Sequence, residues 1–144
     1  MYDDLFKKVL IVEDDLTYRN PLNSYLAARG FAVSTADDGE QAMEKILVHL
    51  PDVIILDLLL PKVDGFEVLK RIRGYPQAGI ANTPVIILSN LSSGEDVEKA
   101  QKHNISAFFV KSHTNFEEVV KKVQEILFKG ASSGKDEIWD FTKE

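Results

Sequence analysis

The 144-residue chain contains no cysteine, so disulfides, thiol nucleophiles and cysteine-ligated zinc are excluded from its chemistry. Histidine occurs only at His49, His103 and His113, with no spacing suited to joint metal ligation. Basic side chains are outnumbered: 17 Lys and Arg against 23 Asp and Glu leave a net charge of −6. That balance argues against a nucleic-acid surface on this segment. No apolar run approaches the roughly 20 residues a membrane helix needs, and residues 1–5 lack the basic and apolar regions of a signal peptide. No glycine-rich phosphate loop precedes a helical segment, which leaves a nucleotide site unsupported. What is present is 44% hydrophobic and 28% charged, at a length suited to one domain with a real core. A soluble, cytoplasmic protein is expected.

Five short aliphatic or β-branched runs recur, over residues 9–12, 31–35, 53–56, 85–88 and 107–110. Continuous apolar strands of this kind suit a parallel sheet covered on both faces. Between them lie segments of helical spacing: Tyr18, Leu22, Tyr25 and Leu26; Met43, Ile46, Leu47 and Leu50; and Phe116, Val119, Val120, Val123 and Leu127. Five β–α alternations predict a three-layer α/β fold with right-handed crossovers. Asp15, Asp38 and the pair Ser92-Ser93 are placed to cap helices, and Gly30 and Asn104 to end them. Pro21 lies inside the first helical pattern, where it removes a bond to Thr17 and predicts a kink.

The strands end in chemistry. Glu13 and Asp14 follow the first, Asp57 the third, Ser89 closes the fourth and Lys111 the fifth. An acidic run after a strand is usually a solvated turn, a strand-end serine a turn former, and a strand-end lysine a solvent charge. Together they differ, because ligands of parallel α/β sheets bind beyond the carboxyl ends of the strands. Three converging carboxylates repel unless a cation joins them, and an all-oxygen site that keeps waters suits Mg²⁺. Mg²⁺ and Lys111 would balance the three acids, leaving a neutral site able to receive a phosphoryl group. Phosphoryl transfer needs little beyond such positioning and charge stabilisation, and a carboxylate can accept the group covalently.

At these residues the chain resembles the receiver domains of two-component response regulators, across roughly residues 7–129. The resemblance rests on Val9-Leu10-Ile11-Val12-Glu13-Asp14-Asp15, Asp57-Leu58-Leu59-Leu60-Pro61 through Asp64-Gly65-Phe66-Glu67-Val68-Leu69, Val85-Ile86-Ile87-Leu88-Ser89 and Ala107-Phe108-Phe109-Val110-Lys111. Each piece alone is weak; all four in order are specific. The resemblance implies a flavodoxin-like (βα)5 three-layer sandwich with a parallel sheet of order 2-1-3-4-5. It implies Asp57 as phosphoacceptor, and Mg²⁺ held by Glu13, Asp14, Asp57 and the backbone carbonyl of Leu59. It makes Lys111 and Ser89 phosphate contacts, with Ser89 the switch hydroxyl and Phe108 the aromatic that follows it inward. The implied partners are a sensor histidine kinase or phosphotransfer protein, then a downstream protein or output domain. The latter would read the face built from the helix after the fourth strand, the fifth strand and the helix after it. A phosphorylation-dependent homodimer is a further implied association.

Two positions depart from the family pattern. Receivers usually place proline, after a cis bond, where this chain has Ser112. A cis bond costs about 2.5–4 kcal/mol before a non-proline residue and about 0.5–1 before proline. Two outcomes are open, a strained cis Lys111–Ser112 bond or a trans bond with the following loop displaced. Because Lys111 must still point at Asp57, the cis bond is expected. Asn90 stands where a small residue is common. With Leu59, which borders the same opening, it is a candidate for setting aspartyl-phosphate lifetime.

Two other function classes stand beside the switch. A haloacid-dehalogenase-type phosphohydrolase also uses a strand-end aspartate, but places an acid two residues on, where this chain has Leu59. An interaction module that works without phosphorylation is disfavoured by the intact acidic set, Ser89 and Lys111. The domain division expected is 1–129 for the receiver and 130–144 for a tail or severed linker, the latter carrying Ile138, Trp139 and Phe141.

Overall fold

A computed structural model describes residues 6–128 of the chain. The division at residue 130 and the apolar residues beyond it therefore lie outside the described residues. Five parallel strands, β1 (Lys8–Val12), β2 (Ala32–Ala36), β3 (Val53–Leu56), β4 (Val85–Ser89) and β5 (Ala107–Val110), form one sheet of order β2-β1-β3-β4-β5. This is the expected flavodoxin-like order. Six helices connect and cover them: α1 (Leu16–Ala28), α2 (Gly39–His49), α3 (Gly65–Arg73), α4 (Ala78–Ala81), α5 (Gly94–Gln101) and α6 (Phe116–Phe128). The sequence reading contained five. The extra one, α4, is a single turn that buries only Ile80, too short to show a helical period.

Alternation along the strands builds the three layers. Leu10, Val12, Ile54, Leu56, Val85, Ile87 and Phe108 face one way and pack with Ile46, Val68, Leu69, Ile72 and Val97. Val9, Ile11, Val53, Ile55, Ile86 and Leu88 face the other and pack with Leu22, Leu26, Val119, Val120 and Val123. The central strands β1, β3 and β4 are buried on both faces, hence their unbroken apolar runs, whereas β2 at the edge carries Ser34 and Thr35 and is only partly buried.

Several predicted caps hold. Asp15, Asp38 and Ser93 cap α1, α2 and α5, their side chains accepting the N–H groups of Thr17, Gln41 and Asp96 in the first turn. Gly30 and Asn104 take the left-handed conformation, at φ 93° and 57°. The helix α1 runs through Pro21 without ending. The expected stripe on α2 is narrower than its spacing suggests: Ala42 and Ile46 are buried, whereas Leu47 and Leu50 are exposed. Leu50 lies past the last turn as its C-cap at φ 48°, so it has left the helical face.

Candidate functional site

Parallel register aligns the strand ends. Val12 pairs with Leu56, Leu56 with Ile87, and Ser89 with Val110. The residues that follow must then emerge along one edge, at the point where the strand order reverses between β1 and β3. Glu13 and Asp57 are 3% and 4% exposed, and Asp14 lies outward of them. One carboxylate oxygen from each of the three falls within 4.8 Å of the others, a geometry that could hold a metal ion.

Lys111 bridges the two buried acids. Its ammonium donates to Glu13 Oε1 at 2.6 Å and to Asp57 Oδ2 at 2.8 Å. The remaining oxygens are also engaged: Glu13 Oε2 accepts the Asp15 N–H at 3.1 Å, and Asp57 Oδ1 accepts the Leu59 N–H at 3.1 Å. Burial pushes the Glu13 carboxyl up to about 7, against the lowering hydrogen bond from Lys111, and the charge of Asp57 adds to the rise. Burial also works against the Lys111 charge, but the bonds to Asp57 and Glu13 outweigh it and hold its pKa above the ordinary value. Asp15 is drawn below the carboxylate range by the Thr17 hydroxyl and amide it caps.

The donor set fits a hard dication. All three groups offer oxygen, and three carboxylates against one ammonium leave two negative charges to balance. Among the described residues, no histidine joins a group able to hold a metal.

The backbone around Asp57 requires its glycine. A Cβ on Gly65 would stand 2.4 Å from the Asp57 carbonyl oxygen and 2.5 Å from the Leu58 Cα, while the Gly65 N–H donates to Leu58 O at 2.9 Å. The start of α3 is thus pressed against the strand end that carries Asp57. Ser89 is fully buried, and its Oγ accepts the Leu91 N–H at 3.2 Å. Phe108 is 1% exposed and already inside the core. The Leu59 side chain is 56% exposed at the rim.

One expectation is corrected. The Lys111–Ser112 bond is trans; no cis peptide occurs among the described residues. Lys111 reaches Asp57 without it, because residues Lys111–His113 turn into a short 3-10 helix directly after β5. The Ser112 N–H, which a proline would lack, donates to Asn90 Oδ1 at 3.0 Å.

Two contributors escaped the sequence reading. Tyr18 lies beneath Lys111, with the ammonium 4.6 Å from its ring centroid. Its hydroxyl is buried without a hydrogen-bond partner, and burial raises its pKa to about 12. Its spacing marked only a core-facing helix residue. Arg19 donates to the Glu13 carbonyl at 3.2 Å and pairs with Asp37, tying α1 to the end of β2. A lone arginine in a helix gave no signal of this.

The family model for the response regulator receiver domain matches residues 9–124. A gliding motility regulatory protein of Myxococcus xanthus is 33% identical over 119 residues, covering 83% of this chain and 15% of that protein. The chain covers 15% of the length of that protein and 52% of that of the Staphylococcus aureus response regulator ArlR, so it spans only part of each. Among solved structures, the receiver domain of Francisella response regulator 1452 superposes with a TM-score of 0.75 at 32% identity, covering 85% of this chain and 97% of that one. The phosphorylated cyanobacterial phytochrome response regulator RcpA gives 0.72 at 30% identity, covering 83% and 92%. With its sheet order, buried acids and bridging lysine, this chain belongs to the response regulator receiver domains of two-component signalling.

Proposed function

We propose that Asp57 accepts a phosphoryl group from a phosphohistidine donor and that the change is read on the α5–β5–α6 face. The observation that carries this reading is the bridge of Lys111 between buried Glu13 and Asp57, beside Asp14. A lysine held against two acids leaves negative charge for a dication to balance, and its ammonium can turn to phosphoryl oxygens when that dication takes over the carboxylates.

In the transfer step a carboxylate oxygen of Asp57 attacks phosphorus, the phosphorus–nitrogen bond breaks, and its electrons return to the donor imidazole. Glu13, Asp14, Asp57 and the Leu59 carbonyl would hold Mg²⁺, which when bound neutralises charge building on the phosphoryl oxygens. Lys111 pairs with those oxygens, and Ser89 donates its hydroxyl to one of them. That donation draws Ser89 from its turn with Leu91 and changes the space around the buried Phe108 ring, so the neighbouring face shifts. Asn90 and Leu59, at the rim, set how readily water reaches the acyl phosphate. Equal dephosphorylation rates for wild type and Asn90→Ala would remove Asn90 from that role.

The partners follow from this chemistry: a histidine kinase or phosphotransfer protein upstream, and a protein or output domain downstream, in the cytoplasm. Phosphorylation-dependent homodimerisation through the same face belongs to this reading. The receiver acts on itself as a switch rather than turning over an external substrate, in keeping with the apolar side chain of Leu59.

The test is labelling with acetyl phosphate and Mg²⁺, followed by mass spectrometry. One phosphoryl adduct on Asp57 is expected, absent with chelator and absent in Asp57→Asn. An unlabelled Asp57 in folded wild-type protein would overturn the proposal.

A further inference from the structure

Two loops border the opening over Asp57, and each begins just after a residue assigned to phosphate contact. Asn90 follows Ser89 at the end of β4, and Ser112 follows Lys111 at the end of β5. Amides in the first turn of a helix have no carbonyl within that helix to bond. The Ser112 N–H is such an orphan, in the turn Lys111–His113, and Asn90 Oδ1 accepts it at 3.0 Å. Asn90 is also the middle residue of the turn in which Ser89 Oγ accepts the Leu91 N–H.

We infer that Asn90 is a positioning residue for Lys111: its side-chain carbonyl latches the turn that aims the ammonium at Asp57, and couples that turn to the loop of Ser89. A lysine stem has four rotatable bonds and loses much freedom when its head is fixed. Anchoring the backbone one residue on from Lys111 removes part of that freedom in advance. The latch also gives Ser89 a mechanical link to Lys111. Drawing the Ser89 hydroxyl out of its turn moves Asn90, and with it the amide that Asn90 holds. Direct pairing of Ser89 with Val110, the residue before Lys111, places both ends of this link on neighbouring strands. The consequence for phosphorylation rests on Asp57 being the acceptor; the latch itself does not.

Three variants separate the acceptor atom from bulk. Asn90→Ala removes both, Asn90→Leu keeps similar size without an acceptor, and Asn90→Asp keeps the acceptor. The readouts are the exchange rate of the Ser112 amide in the unphosphorylated protein, by NMR, and the initial rate of Asp57 labelling by acetyl phosphate with Mg²⁺. One neutral hydrogen bond corresponds to about threefold to tenfold. Exchange at Ser112 should rise by that factor in the Ala and Leu variants and stay at the wild-type rate in Asp. Labelling should slow by a similar factor in Ala and Leu alike. Unchanged Ser112 exchange in those two variants would overturn the latch. Faster exchange with an unchanged labelling rate would overturn the positioning of Lys111. Wild-type protein that takes no label would instead defeat the phosphoacceptor reading, while the amide measurement would still report on the latch.

Discussion

Glu13 faces opposing demands from its two neighbours. Lys111 favours its charged form, whereas burial and Asp57 favour the proton, and the second pair prevails to hold the carboxyl at about 7. Metal ligation needs the carboxylate, so Mg²⁺ held as proposed would compete with protons at this side chain. The affinity for Mg²⁺ should therefore weaken as pH falls below about 7, by up to about tenfold per pH unit while one proton is displaced. Calorimetric titration at pH 6 and pH 8 checks the direction, and Glu13→Gln should flatten the slope. Stability runs the opposite way in metal-free protein. A carboxyl whose folded pKa exceeds its unfolded value of 4.5 binds the proton more tightly when folded. Its contribution is fully present below that value and is lost as pH rises through about 7. A metal-free protein whose Glu13-dependent stability rises over this window would contradict the burial argument.

Elements, rather than single residues, explain why the site keeps its shape, and Arg73 is the clearest case. At the end of α3 its guanidinium donates to four backbone carbonyls: His103 at 2.6 Å, Ala81 at 2.8 Å, Thr83 at 2.8 Å and Asn104 at 3.1 Å. It thus joins α3 to the loops that enter β4 and β5, and partial burial lowers its pKa. A planar fork with five donors can do this, and a lysine cannot. Arg73→Ala should cost about 2–3 kcal/mol, with Arg73→Lys recovering less than half, as read from urea unfolding midpoints. The opposite sign is expected at Pro21, exposed on α1, where an alanine would restore the bond to Thr17. Pro21→Ala should stabilise by about 1–3 kcal/mol, the helix gain less the added freedom of the unfolded chain. A lower unfolding midpoint for this variant would show that Pro21 contributes packing the helix needs.

Across the whole molecule, what the sequence disclosed follows from how far each signal reaches. The central strands β1, β3 and β4 were legible because burial on both faces leaves uninterrupted apolar runs. Parallel register brings Glu13 beside Asp57, and the turn after β5 brings Lys111 to them. Caps such as Asp38 and Ser93 are written within four residues. The contacts of Asn90 with Ser112 and of Arg73 with four carbonyls span 22 and 8 to 31 residues, with no periodicity to announce them. The choice between cis and trans at Ser112 was not legible for the same reason: the turn that makes the trans bond workable is closed by a distant side chain. Register also determines how a local event reaches the whole fold. The three acids leave the ends of two adjacent central strands, so a cation that joins them ties β1 to β3 and relieves repulsion inside the sheet edge. A ligand that binds only the folded state adds about 2.7 kcal/mol at a hundredfold excess over its Kd, which for a domain of this size is roughly 5–15 °C in Tm. Mg²⁺ should raise the melting temperature by that amount in wild type and by little in Glu13→Gln with Asp14→Asn. Since both substitutions also remove repelling charge, their metal-free Tm should start above that of wild type. An equal Mg²⁺ shift in both proteins would place the ion elsewhere on the surface and separate the acidic cluster from metal binding.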